Sequence, residues 1–190
     1  DYRRVVTRRF PEDAVFGDIT PSYARLQDDG FARMLTTFPK AKLILLLRNP
    51  ADNMWSRVAH ARKNGGASGS MEAVLKQRLA QDDPEMDIPR LENTYDTARA
   101  HVPKDRIHCL FTENLFSDGA NQTVQELCDF LGVTGAHASD NHYAENRGRY
   151  EPMPDELRRI TASTFEASYH FAADLMGELP ASWRSDMGRF

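Results

Sequence analysis

Five consecutive aliphatic residues, Leu43–Leu47, run directly into Arg48-Asn49-Pro50. This run constrains the fold more than any other part of the chain. It is far too short to cross a membrane, and it has no polar position. It therefore reads as a strand over Lys42–Leu47, buried on both faces, as in a parallel sheet covered by helices. The next residues punctuate a helix start: Asn49 is placed to cap it and Pro50 to occupy its first position.

The chain has 190 residues, enough for one domain with a real core and too few for two comfortable ones. Its formal charge of −4 argues against a general nucleic-acid binder, which carries a basic excess. Two cysteines, Cys109 and Cys128, make neither a disulfide framework nor a zinc site. The six histidines show no metal-type spacing, so no metal is expected. The few cysteines and the lack of a signal-peptide pattern lean towards a cytoplasmic protein, with no membrane span. The chain begins at Asp1 without an initiator methionine, which suggests part of a longer protein.

Strand and helix patterns alternate along the chain. Ala14–Ile19 reads as a short strand closed by Thr20-Pro21, and Gln27–Phe38 as a helix stopped by Pro39. The helix after Asn49 should end at Gly65-Gly66, with Met54, Val58 and Ala61 on its sheet-facing side. Ser56 falls on its more polar side, with Asp52 and His60. Helices are expected over Met71–Leu79, Leu91–His101, Thr123–Leu131 and most of Asp155–Met176, and a further strand over Arg106–Phe111. Val124, Leu127, Cys128 and Leu131 form the inner face of the Thr123–Leu131 helix, which ends at Gly132. Gly65–Ser70, Asp82–Pro89 and His137–Tyr150 read as loops. The alternation argues for an α/β three-layer sandwich with a mainly parallel sheet. Ligands in such sheets bind at the carboxyl ends of the strands, where Asp18 and Arg48 would share one edge.

Three segments carry candidate chemistry. Arg48, with Ser56 eight residues later, offers a planar fork of donors and a hydroxyl that suit a phosphate dianion. Equally, Arg48 could pair with a local carboxylate such as Asp52, leaving Ser56 a surface residue. In Phe16-Gly17-Asp18-Ile19-Thr20-Pro21, a carboxylate before a Thr-Pro turn is placed for general-base work, or for capping that turn. Arg147-Gly148-Arg149-Tyr150 can form a cationic loop whose glycine admits an anion closely, or can be a solvated charged loop. Arg3, Arg4, Arg8 and Arg9 read as a solvated face, and Glu113 as a packing or capping residue rather than a catalyst.

Taken in order, these segments resemble the sulfotransferases that use 3′-phosphoadenosine 5′-phosphosulfate (PAPS), closest to the branch of heparan sulfate sulfotransferases and their bacterial relatives. That branch has a segment like G-E-K-T-P-x-Y; Gly17–Tyr23 reads GDITPSY. Its run P-x-A-K-x-I-x-x-L-R-x-P with a later serine matches Pro39, Ala41, Lys42, Ile44, Leu47, Arg48, Pro50 and Ser56. Further along come an E-x-L (Glu113, Leu115), an F-L-G-V (Phe130–Val133), the Arg147–Arg149 loop, and L-x-G with a downstream tryptophan (Leu175, Gly177, Trp183). The resemblance implies a P-loop nucleotide-hydrolase-like fold in one sulfotransferase domain over residues 1–190. It implies PAPS as donor and adenosine 3′,5′-bisphosphate (PAP) as product. The acceptor would be a carbohydrate or a small alcohol or amine. Arg48 and Ser56 would bind the 3′-phosphate, Arg147, Gly148 and Arg149 would close over the nucleotide, and Asp18 would stand for the catalytic glutamate.

Two departures stand out. Asp18 is one methylene shorter than glutamate, and Ile19 replaces a frequent lysine. The family's opening strand and K-x-G-T-T-S loop have no counterpart here, so the fold is expected to lack its first strand-loop-helix. Two alternatives stay open: a catalytically incomplete nucleotide-binding relative, and a P-loop phosphotransferase.

Overall fold

The computed structural model describes residues 14–81, 90–134, 136 and 151–190. Two strands, β1 (Leu43–Leu47) and β2 (Ile107–Phe111), pair in parallel, with Leu43 opposite Ile107 and Leu47 opposite Phe111. Helix α1 (Asp28–Thr37) precedes β1 and ends ahead of Pro39. Between the strands lie α2 (Pro50–Lys63), α3 (Met71–Ala80) and α4 (Leu91–His101). After β2 come α5 (Ala120–Leu131), α6 (Asp155–Thr164), α7 (Glu166–Met176) and α8 (Ala181–Met187). The architecture is α/β with a parallel sheet, as the alternating pattern predicts.

The expected punctuation is largely present. The Asn49 side chain accepts from the Asp52 amide at 3.1 Å, and Pro50 holds the first position of α2. Ser70 caps α3 by accepting from the Ala73 amide at 3.1 Å. Gly132 stops α5 in a left-handed conformation, φ 77°. Helix α5 starts three residues ahead of Thr123, and Ala120 and Thr123 join Cys128 in the interior. Arg106 belongs to a tight turn (Lys104–Arg106) rather than to β2.

Alternate positions of the sheet meet different surroundings. Leu47, Cys109 and Phe111 face a cluster built from Met54, Trp55 and Val58 of α2, Leu75 of α3, Leu157 of α6, and Phe165, Tyr169 and Trp183. The Trp183 ring stands edge-on to Phe111 (5.0 Å between centroids) and to Tyr169 (5.5 Å). On the opposite face α5 covers β2, where the Phe130 ring lies 5.1 Å from His108. Ile44 and Leu46 on that face are 38% and 48% exposed, so β1 is not buried on both sides as its composition suggests. An aliphatic run states what a strand tolerates; whether a helix lies over it is decided elsewhere in the chain.

One further expectation is corrected. Ala14–Ile19 is not a strand: it has no regular structure, and Ile19 is 91% exposed. A strand exists only by pairing, and no described segment pairs with this one. Asp155–Met176 is mostly helical, as expected, in two helices that meet at buried Phe165 (φ −108°, ψ 22°). Thr161 and Thr164 donate their hydroxyls back to the Leu157 and Ile160 carbonyls just before the break, a pattern that bends helices. Helix α8 is absent from the sequence-based expectation, because it is short and has no amphipathic repeat. Asp82–Pro89 lies outside the described residues.

Both cysteines are free thiols, and burial pushes the Cys109 thiol up to about 11. The unfolded chain therefore releases this proton first, near its ordinary value of 9.0. The stabilisation is complete below that pH and is lost as pH rises towards the folded value. The melting temperature should fall between about pH 9 and pH 11, and Cys109→Ala should flatten the fall. A fall of the same steepness in the variant, by calorimetry, would remove Cys109 as a cause.

Candidate functional site

The carboxyl end of β1 is held from several directions. The Leu47 carbonyl accepts from the Thr112 hydroxyl at 2.8 Å, just past the end of β2. Two residues on, Asn49 is fully buried. Its Nδ2 donates to Asp186 Oδ2 at 2.9 Å, and its Oδ1 accepts from the Tyr169 hydroxyl at 3.0 Å as well as from the Asp52 amide. The Tyr169 hydroxyl also lies 3.1 Å from Asp186 Oδ2 and accepts from the Ala51 amide at 3.4 Å.

Asp186 has 0% of its surface exposed, so its charge must be compensated locally. Arg158 of α6 does this in a forked arrangement, Nε to Oδ1 at 2.6 Å and Nη2 to Oδ2 at 2.8 Å. The remaining Nη1 reaches Asp52 Oδ1 of α2 at 2.8 Å. Arg189 Nε stands 3.5 Å from Asp186 Oδ1. Burial works against the charge of Arg158, but the hydrogen bonds to Asp186 and Asp52 outweigh it and hold its pKa above the ordinary value. Burial, then the adjacent Asp186 charge, raise Tyr169, so its hydroxyl stays protonated and able to donate.

Arg48 sits inside this frame, half-buried, between Leu47 and Asn49. Among the described residues its guanidinium has no hydrogen-bond or ion-pair partner. The pairing with Asp52 that the sequence left open is not formed; Asp52 Oδ1 pairs with Arg158 instead. Ser56 is half-buried on α2, four residues past Asp52 and about 9 Å along the helix axis from Pro50.

The other candidates fare differently. Asp18 is exposed and accepts a hydrogen bond from the Tyr23 hydroxyl. The residue at the cap position of the following turn (Pro21–Arg25) is Thr20. With no strand over Ala14–Ile19, Asp18 is not at a strand end beside Arg48. Arg147, Gly148, Arg149 and Tyr150 lie outside the described residues, as do Arg3, Arg4, Arg8 and Arg9. Glu113 accepts from the Trp183 indole at 2.8 Å, the packing role expected of it. No described group of three histidine, cysteine or acidic side chains could hold a metal ion. No described helix is long and apolar enough to cross a membrane.

Arg158, Tyr169 and Asp186 escape sequence reasoning. They stand more than a hundred positions from Asn49, and nothing local distinguishes them from ordinary helix residues. Removing Arg158 leaves Asp186 buried without its forked partner, with Arg189 Nε at 3.5 Å as the remaining cation. Arg158→Met should therefore lower unfolding free energy by about 3–5 kcal/mol in urea titrations. A loss below about 1 kcal/mol would mean that water reaches the carboxylate.

The Sulfotransferase family model matches residues 4–137, well over half of the chain. Among solved structures, the crystal structure of a sulfotransferase from Alicyclobacillus acidocaldarius aligns with a TM-score of 0.65 at 20% sequence identity. The alignment covers 83% of this chain and 63% of that one, so the chain spans less than two-thirds of that protein's length. At this identity the likeness establishes the fold. No curated protein sequence matches the chain. On the family match, over a parallel sheet ending in Arg48, the chain belongs to the sulfotransferase family.

Proposed function

We propose that the protein transfers a sulfuryl group from PAPS to an acceptor hydroxyl or amine, with Arg48 and Ser56 as ligands of the nucleotide 3′-phosphate. The observation that carries this reading is the state of Arg48. It is a half-buried arginine at the carboxyl end of a parallel strand, and its nearest carboxylate in sequence, Asp52, is committed to Arg158. A guanidinium kept from that carboxylate is available for an incoming dianion.

In this scheme the acceptor oxygen or nitrogen attacks sulfur in line. The bond between sulfur and the bridging phosphate oxygen breaks, and PAP leaves with that oxygen's electron pair. Asp18 takes the acceptor's proton. Its exposure suits a group that must meet an acceptor arriving from solvent, and Tyr23 holds it in place. Being one methylene shorter than glutamate, it requires the acceptor to approach the chain more closely. Arg147, Gly148 and Arg149 are assigned to closing over the nucleotide, where positive charge would offset that developing on the leaving phosphate. The family match supports a transferase, and the PAPS donor is the choice that gives Arg48 a chemical role.

Arg48→Ala should weaken PAP binding in calorimetry by about 1.5–3 kcal/mol, the range of charge-assisted hydrogen bonds. Unchanged affinity would sink the 3′-phosphate assignment. Asp18→Asn should lower turnover with any accepted substrate far more than it lowers PAP affinity. Turnover equal to that of the unaltered protein would remove Asp18 as the base.

A further inference from the structure

We propose that Asp186, acting with Arg158 and Tyr169, is a positioning device for the 3′-phosphate site: it fixes Asn49 and so aims Arg48, and it keeps Arg48 from pairing with Asp52. The inference rests on the reading of Arg48 as a 3′-phosphate ligand. None of the three residues needs to touch the nucleotide.

The geometric part concerns the backbone on either side of Arg48. On the amino side, Leu47 is locked by its pairing opposite Phe111 and by Thr112 on its carbonyl. On the carboxyl side, the Asn49 amide is gripped at both ends, Nδ2 by Asp186 and Oδ1 by Tyr169 and the Asp52 amide. Tyr169 also reaches the Ala51 amide. Arg48 is thus a single residue between two pinned neighbours, so its Cα–Cβ direction is set before any ligand arrives. A preset direction removes part of the ordering loss that an arginine suffers on binding an anion.

The electrostatic part concerns competition. Asp52 and Asp186 are two negative charges close in space to the start of α2, and either would repel a phosphate there or draw in a free guanidinium. Arg158 bridges both, and Arg189 adds a second cation beside Asp186. Arg189 also pairs with Asp155 at 3.1 Å, so every carboxylate of the cluster has a guanidinium partner other than Arg48. Among the described residues, Arg48 is then the uncommitted cation at the strand end. A stability role alone would not require Arg158 to reach across to Asp52; a hydrogen bond to Asp186 would satisfy the buried charge.

The test compares two nucleotides that differ only in the 3′-phosphate. Calorimetry at a temperature well below melting would measure PAP and adenosine 5′-phosphate binding to the unaltered protein and to Arg48→Ala, Tyr169→Phe and Arg158→Lys. Tyr169→Phe keeps the buried ring and removes the hydroxyl. Arg158→Lys keeps a cation but cannot fork between Asp186 and Asp52. Both variants should lose about tenfold in PAP affinity, with adenosine 5′-phosphate affinity unchanged. Equal losses for both nucleotides, or no loss of PAP affinity in variants that melt as folded proteins, would overturn the positioning role. That result leaves the 3′-phosphate reading standing wherever Arg48→Ala still weakens PAP selectively. An Arg48→Ala protein that binds PAP normally would overturn the reading itself.

Discussion

A fully buried carboxylate is the constraint around which the rest of the structure is arranged. Isolated in an interior, Asp186 would cost several kcal/mol, and the fold exists only if cations and donors converge on it. Arg158 comes from α6, Tyr169 from α7, Asp186 itself from α8 and Asn49 from the turn between β1 and α2. Four segments distant in sequence must therefore meet at one point. Apolar packing alone would tolerate small slides of these helices; a forked arginine on a carboxylate does not.

The apolar cluster and the polar one share residues, which couples them. The Tyr169 ring packs edge-on to Trp183 while its hydroxyl serves Asn49. Trp183 packs against Phe111 of β2 and donates to Glu113 just beyond it. The ends of both strands are thus tied to α8, one short helix. Oriented polar groups supported by close-packed rings are the usual means of holding a binding group within a fraction of an ångström.

The legible part of the sequence is local. The Asn49-Pro50 start, the Gly132 stop and the Leu43–Leu47 strand each depend on residues a few positions apart, and each is present. Arg48 and Ser56 can be singled out because the order of motifs around them matches a family. The illegible part is every property decided by a distant partner. Leu46 looks as buried as Leu47, yet only one of them meets α2 and Trp183. Ala14–Ile19 has strand-like residues but no described partner strand. Asp186 reads as one more surface acid in Arg-Ser-Asp-Met, and only the three-dimensional meeting with Arg158 reveals its weight.

The bond between Asn49 and Asp186 spans 137 positions, and it acquires a different meaning when the chain is considered as it is made. Synthesis delivers the strand, Arg48 and the cap of α2 early, with Asp52 exposed to whatever cation is near. Arg158 appears much later, and Asp186 later still. Until then the turn can form only loosely, because a long loop must close before its contacts reward it. The nascent chain therefore carries an arginine and an aspartate four positions apart with nothing to keep them from each other. Arg158, from α6, is the residue that then engages Asp52. The surroundings of Arg48 are in this sense set by segments made long after it, and not by its own neighbours in sequence.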